Sequence, residues 1–196
     1  MNYLAHLYLS DGSAESLLGN LLADFLKGPS STVEDARVRE GVELHRRIDR
    51  FTDGHPVFLR SVDRFSPRRR RAAPVLVDIF YDHFLARDWD HYAPLPLHDF
   101  LESSRRRMLT RWHLLPAQTQ PALERLMPLH WMARYAEIPG IGAVVDRVAK
   151  RVRMDVGIAG GVEELTGNYD GLSGDFRDFF GDLVAFVEAV RGPKTW

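Results

Sequence analysis

GVELHRRIDRFTDGHP, Gly41 to Pro56, is the stretch on which the reading of the fold turns. Leu44, Ile48 and Phe51 recur at helical spacing, so the segment reads as a helix with one buried stripe. His45 and Asp49 lie one turn apart on the flank of that stripe, and both side chains can reach a single point. A polar group beside a core needs a partner. Here the partner is a salt bridge, a substrate or a metal ion. Gly54-His55-Pro56 then breaks the helix.

Outward from this segment the pattern stays helical. Upstream, Ser31 with Glu34 reads as a capping box that opens a helix of roughly 20 residues ending near Phe51. Before it, residues 15–27 set Leu17, Leu18, Leu21, Leu22, Phe25 and Leu26 at helical spacing, and Gly28-Pro29 stops the run. Downstream, Ser66-Pro67 reads as a cap with proline at the first helical position. That helix is expected to run to Trp89, with Pro74 as a kink or break. Further helices are expected at 97–115, 119–136, 141–154 and 174–191, with 155–172 a glycine-rich loop holding one short turn. Tyr3–Leu9 is the one strand candidate. The expectation is an all-α fold, a single-domain helical bundle over residues 1–196.

Composition narrows the class. Hydrophobic residues at 45% and charged residues at 27% describe a globular chain. The formal net charge of −1 points to no partner, and with no nucleic-acid motif it argues against nucleic acid. The absence of cysteine excludes disulfides, thiolate ligands and a cysteine nucleophile, and suits a reducing compartment. The opening MNYLAHLYLSDG has neither a basic start nor a long apolar run, so neither a signal peptide nor a membrane span is expected, and the location reads as cytoplasmic. Two local basic runs, Arg68 to Arg71 and Arg105 to Arg107, stand out. The first lies near an expected helix start, where basic charge opposes the helix dipole, and so hints at an acidic partner.

Three helices offer carboxylates or imidazoles beside their buried faces. At about 100° per residue, Asp24 falls at the edge of the Leu17/Leu21 stripe. His45 and Asp49 flank the second stripe. On the third, Val75, Ile79 and Asp82 share a face, with His83 one step round and Asp78 one turn back. Nitrogen and oxygen donors without sulfur suit manganese, iron, zinc or magnesium. Such an ion lowers the pKa of a water and stabilises charge on a phosphoryl oxygen, the chemistry of phosphoester hydrolysis. Taken singly, each feature has a plain alternative. A histidine and an aspartate at this spacing also describe a solvated pair, and Asp24 could pair with an arginine. His6, in an apolar segment, reads as a satisfied core histidine.

Four motifs in order, MNYLAHLYLS, GNLLADFLKG, GVELHRRIDRFTDGHP and DIFYDHFLARDW, resemble the acyl carrier protein phosphodiesterase family. The resemblance covers residues 1–90 closely and the rest only in length and helical character. It implies an all-helical, HD-domain-like fold that removes 4′-phosphopantetheine from holo-acyl carrier protein, with manganese, or else magnesium or iron, as cofactor. Asp24, His45, Asp49, Asp82 and His83 fall where the family keeps polar motif positions, although the tandem His-Asp pair of HD domains is missing. On this reading Asp24, His45, Asp49 and Asp82 hold the metal. His83 or His6 protonates the leaving serine oxygen or orients the water. Arg46 or Arg47 neutralises the phosphate, and one of the two arginine runs docks the acidic carrier. The alternatives are a phosphohydrolase acting on a nucleotide or other small diester, and a non-catalytic helical module that binds an acidic protein.

Overall fold

A computed structural model describes residues 1–151 and 157–191. Among the described residues there are ten α-helices, six short 3-10 turns and no strand. The helices are α1 (Tyr3–Leu9), α2 (Ala14–Leu22), α3 (Ala36–Gly54), α4 (Pro56–Asp63), α5 (Ala73–Arg87), α6 (Leu97–Thr110), α7 (Gln120–Glu124), α8 (Ile138–Arg151), α9 (Val162–Gly167) and α10 (Tyr169–Arg191). The fold is all-α.

The centre is α5. Its residues Leu76, Val77 and Ile79 through Ala86 are all buried, as expected of a helix that is apolar on nearly every side. Around it pack α1, α4, α8 and α10. Pro74 sits in its first turn, where its missing N–H costs nothing, so there is no kinked helix from Pro67 to Trp89. Pro67–Arg69 forms a separate 3-10 turn.

The strand expected at Tyr3–Leu9 is a helix. Its N-terminal amides are satisfied from a distance: Leu4 N–H donates to Asp82 Oδ2 at 2.8 Å and Ala5 N–H to Asp82 Oδ1 at 3.0 Å. That partner is 78 residues away for Leu4, which local pattern cannot anticipate. The cap of α3 is also not the expected Ser31/Glu34 box. Asp35 accepts from Arg37 N–H at 3.0 Å and Val38 N–H at 2.9 Å, while Ser31 lies in a 3-10 turn. The break after Gly54 opens a further helix, α4, because Pro56 takes its first position and His55 Nδ1 caps Val57 N–H at 3.3 Å.

Later boundaries shift for similar reasons. The helix expected over 119–136 is split at Pro128 into α7 and a 3-10 segment, Leu129–Ala136. Of the loop expected over 155–172, residues 155 and 156 lie outside the described residues. The remainder contains α9 and the first turn of α10. Residues 152–154 of the helix expected at 141–154 lie outside them too. Gly171, which reads as loop, is a packing position in α10: a Cβ there would meet Arg64 Nη1 at 2.6 Å. The same guanidinium joins Arg60 and Ser61 on the buried Asp175 carboxylate, clamping α4 to α10.

The helix pair that positions the site is α2 against α3. At Gly19 and Gly41 the two backbones touch. A Cβ on Gly19 would lie 2.2 Å from Val38 O and 2.7 Å from Gly41 Cα. Backbone cannot yield as a side chain does, so Gly19→Ala should cost about 1–3 kcal/mol or more by overpacking. Urea denaturation reads this, and an unchanged midpoint would show that the contact is not as close as described.

Candidate functional site

α1, the end of α2 and α3 converge on one point. Asp49 Oδ1 lies 3.1 Å from His6 Nε2, and Asp49 Oδ2 lies 3.0 Å from His45 Nε2. Each carboxylate oxygen therefore holds one imidazole. His45 Nε2 is also 3.4 Å from Asp24 Oδ1, in the 3-10 turn that ends α2. The two imidazoles stack with centroids 3.8 Å apart and planes at 15°. One donor atom from each of His6, His45 and Asp49 lies within 4.8 Å of the others. The His6 and His45 side chains are 1% and 5% exposed, whereas Asp49 and Asp24 are 40% and 42% exposed. The cluster thus has a buried imidazole floor and a carboxylate mouth open to solvent.

Burial and charge divide the two histidines. Burial pushes His6 down to about 4, and the neighbouring charge of His45 adds to this. Burial also opposes the charged form of His45, but hydrogen bonds to Asp24 and Asp49 overcome it and raise its pKa to about 9. Burial would raise Asp49, yet the His45 and His6 hydrogen bonds hold it well below the ordinary carboxylate range. Below the cluster, the Met1 ammonium lies 3.0 Å from Asp78 Oδ1 and 3.4 Å from Asp49 Oδ1. Both imidazole Nδ1 atoms are buried without a hydrogen-bond partner.

Four of the residues singled out in the sequence meet here: His6, Asp24, His45 and Asp49. Three do not take the places expected of them. Both oxygens of Asp82 are occupied by the α1 amides, and burial raises its carboxyl to about 7. It pins the helix that carries His6 and lies outside the His6/His45/Asp49 group. His83 is turned away: Nδ1 lies 2.7 Å from the Tyr135 carbonyl and Nε2 lies 2.9 Å from the Tyr169 hydroxyl. With both ring nitrogens engaged, it does not reach the cluster as an acid. Arg46 Nη2 donates to the Gly28 carbonyl at 2.7 Å, and Nη1 lies 3.7 Å from Glu43, so it ties the loop after α2 to α3. Arg47 is exposed and lines a cavity of about 540 Å³. Leu44, Arg37 and Arg191 also line that cavity, and none of the four cluster residues does.

The acyl carrier protein phosphodiesterase family model matches residues 1–183. Acyl carrier protein phosphodiesterases from Serratia proteamaculans and Yersinia enterocolitica are 37% and 38% identical, each over 94% of this chain and 96% of the relative. One from Pectobacterium atrosepticum is 35% identical over 97% of this chain and 100% of the relative. The chain belongs to the acyl carrier protein phosphodiesterase family. Membership extends well past residue 90, so the likeness in the second half is more than length and helical character. No solved structure matches.

In this family member the two arginine runs are largely committed within the chain. Arg68 pairs with Glu163 at 3.0 Å, and Arg70 pairs with Asp63. Buried Arg69 donates to the Gly157 and Ala159 carbonyls at 2.7 and 2.6 Å. Arg105 and Arg106 share Glu102 at 2.9 and 2.8 Å, and Arg107 donates to the Gly12 carbonyl at 2.8 Å. Arg68, Arg70 and Arg106 nevertheless remain exposed in these surface pairs, and Arg71 is exposed as well. The unusual basic run before α5 has an internal explanation, since Arg69 fastens the turn to the segment that leads into α9. Among the described residues no helix is long and apolar enough to cross a membrane.

The cluster electrostatics can be read directly. In metal-free protein His45 should titrate near pH 9 by NMR, and Asp49→Asn should lower that value because one of its two carboxylate partners is neutralised. The folded pKa lies above the ordinary histidine value of 6.5. The stability gained from charged His45 is therefore complete below pH 6.5 and lost as pH rises through about 9. A His45 titration unchanged by Asp49→Asn would remove Asp49 as a cause.

Proposed function

We propose that the protein hydrolyses the phosphodiester joining 4′-phosphopantetheine to the serine of holo-acyl carrier protein, releasing the apo-carrier. The observation that carries this reading is the convergence of two imidazoles and a carboxylate at a solvent-open mouth, in a chain of this family. Nitrogen and oxygen donors on a rigid floor fit a divalent ion, with manganese first and magnesium or iron as alternatives. His6 Nε2, His45 Nε2 and Asp49 would hold it, with Asp24 closing the set from the solvent side. Such an ion supplies an activated water and charge stabilisation at phosphorus. The residues of the chain do the rest. The stacked imidazoles block the inner face, so the diester and the attacking water both enter through the Asp24/Asp49 mouth. The exposed Asp24 carboxylate would orient an attacking water at the mouth and take up its proton. The bond from phosphorus to that oxygen breaks, the oxygen takes a proton, and the phosphate leaves with pantetheine. The reading places the protein in the cytoplasm, with the carrier protein, not a nucleic acid or a membrane, as partner.

Intact-mass spectrometry of holo-carrier incubated with protein and manganese tests this. The carrier should lose the mass of its prosthetic group, and a chelator should stop the loss. His45→Ala and Asp49→Ala should each slow it by about 100-fold or more, equivalent to roughly 2.7 kcal/mol of transition-state stabilisation. A carrier mass that never changes with wild-type protein would sink the reading. Near-normal rates in both variants would move the centre elsewhere.

A further inference from the structure

The His/Asp cluster can account for hydrolysis of a phosphodiester but not for choice among diesters. Its two imidazoles stack on each other, its mouth is two carboxylates, and it offers no apolar face to a substrate. Pantetheine is an uncharged chain, with a gem-dimethyl group near the phosphate end and two amides beyond. Recognition of such an arm requires an apolar face for the gem-dimethyl end and hydrogen-bond donors for its amides beside the reacting phosphorus.

A wall of that kind adjoins the cluster. Tyr3 stands one turn before His6 on α1, so the two side chains are neighbours. The Tyr3 ring meets Trp131 edge to face, with centroids 6.5 Å apart at 81°. Behind it, Trp131 is braced by fully buried Tyr135, centroids 5.5 Å apart at 74°. Arg147 of α8 lies over the Trp131 ring at 5.2 Å and is exposed. Tyr3 and Trp131 are both half-buried, each keeping surface toward solvent. The wall lies near the mouth: Tyr3 is one turn from His6 on α1, and its hydroxyl pKa is raised chiefly by burial and then by the Asp24 charge, while Arg151 lowers it by charge and a hydrogen bond. Two aromatic rings held at fixed angles, with Trp131 both braced by Tyr135 and covered by the Arg147 guanidinium, make a preformed surface.

We infer that Tyr3, Trp131 and Arg147 form the subsite for the pantetheine arm, with the gem-dimethyl end against the Tyr3 and Trp131 rings and the amides within reach of Arg147. This rests on the proposed phosphodiesterase reading and assigns its substrate specificity to residues outside the His/Asp cluster. It also gives the 3-10 segment Leu129–Ala136 and α8 a part in function, although neither carries a cluster residue.

Two measurements test it. The first is calorimetric binding of pantetheine, which has no phosphodiester, to wild-type protein, Trp131→Ala and Arg147→Ala. Loss of an aromatic contact of this kind should weaken binding by about tenfold, the equivalent of about 1.4 kcal/mol. Exposed Arg147→Ala should weaken it about three- to fivefold, with Arg147→Lys recovering part of the loss. The second is selectivity, the ratio of kcat/KM on holo-carrier to kcat/KM on bis(p-nitrophenyl) phosphate, a diester without the arm. Trp131→Ala should lower this ratio about tenfold, mainly through KM for the carrier. If both substrates fall together, Trp131 is only a structural brace and the inference is overturned. Equal pantetheine binding by all variants overturns it as well. Should wild-type protein leave holo-carrier intact yet bind pantetheine in a Trp131-dependent way, the subsite stands and the reading of the reaction falls. If wild-type protein binds no pantetheine, the subsite is overturned whatever the reaction.

Discussion

The backbone contact between Gly19 and Gly41 is the constraint on which the site depends. A Cβ on Gly41 would lie 2.8 Å from Ser16 O and 3.0 Å from Gly19 Cα, so neither helix can carry a side chain there. Glycine inside a helix costs about 0.5–1 kcal/mol relative to alanine. The return is an approach of α2 to α3 that side chains would hold apart. That closeness puts the turn ending α2 over the middle of α3, where Asp24 comes within 3.4 Å of His45.

The third element of the site is placed from the opposite direction. α1 is too short to be stable alone, because a helix of this length cannot recover its nucleation cost. Asp82, buried in the central helix α5, accepts its first free amides and fixes both its position and its rotation. The result presents His6 to Asp49. Asp82, expected as a metal ligand, is observed as a tertiary helix cap: two backbone amides satisfy its buried carboxylate.

Within the site, one carboxylate serves two imidazoles in opposite states. Stacked rings 3.8 Å apart cannot both carry charge without strong repulsion in a buried setting. His45, near Asp24 as well as Asp49, keeps the proton; His6, fully buried, gives it up. On the proposed metal reading, a cation at both Nε2 atoms would require a net loss of one proton, from His45, and would meet a carboxylate already ionised.

By itself the sequence determined the helical class and the motif positions. The periodicity of Leu17, Leu21, Leu44 and Ile48 is a local property, and local spacing decides which residues share a helix face. It also placed His45 and Asp49 on one side of one helix, a relation that holds in any fold. What it could not supply is any relation across helices. Tyr3–Leu9 read as a strand because its cap comes from Asp82, and α4 was missed because Pro56 both ends one helix and begins the next. His83 and Asp82, adjacent in sequence, point to different partners, the Tyr135 carbonyl and the α1 amides. The Tyr3–Trp131–Arg147 wall joins three segments with no common spacing at all. Those relations belong to the tertiary structure alone, because they are fixed by how close two backbones can come and by which buried polar group finds which partner, and neither is written in the order of neighbouring residues.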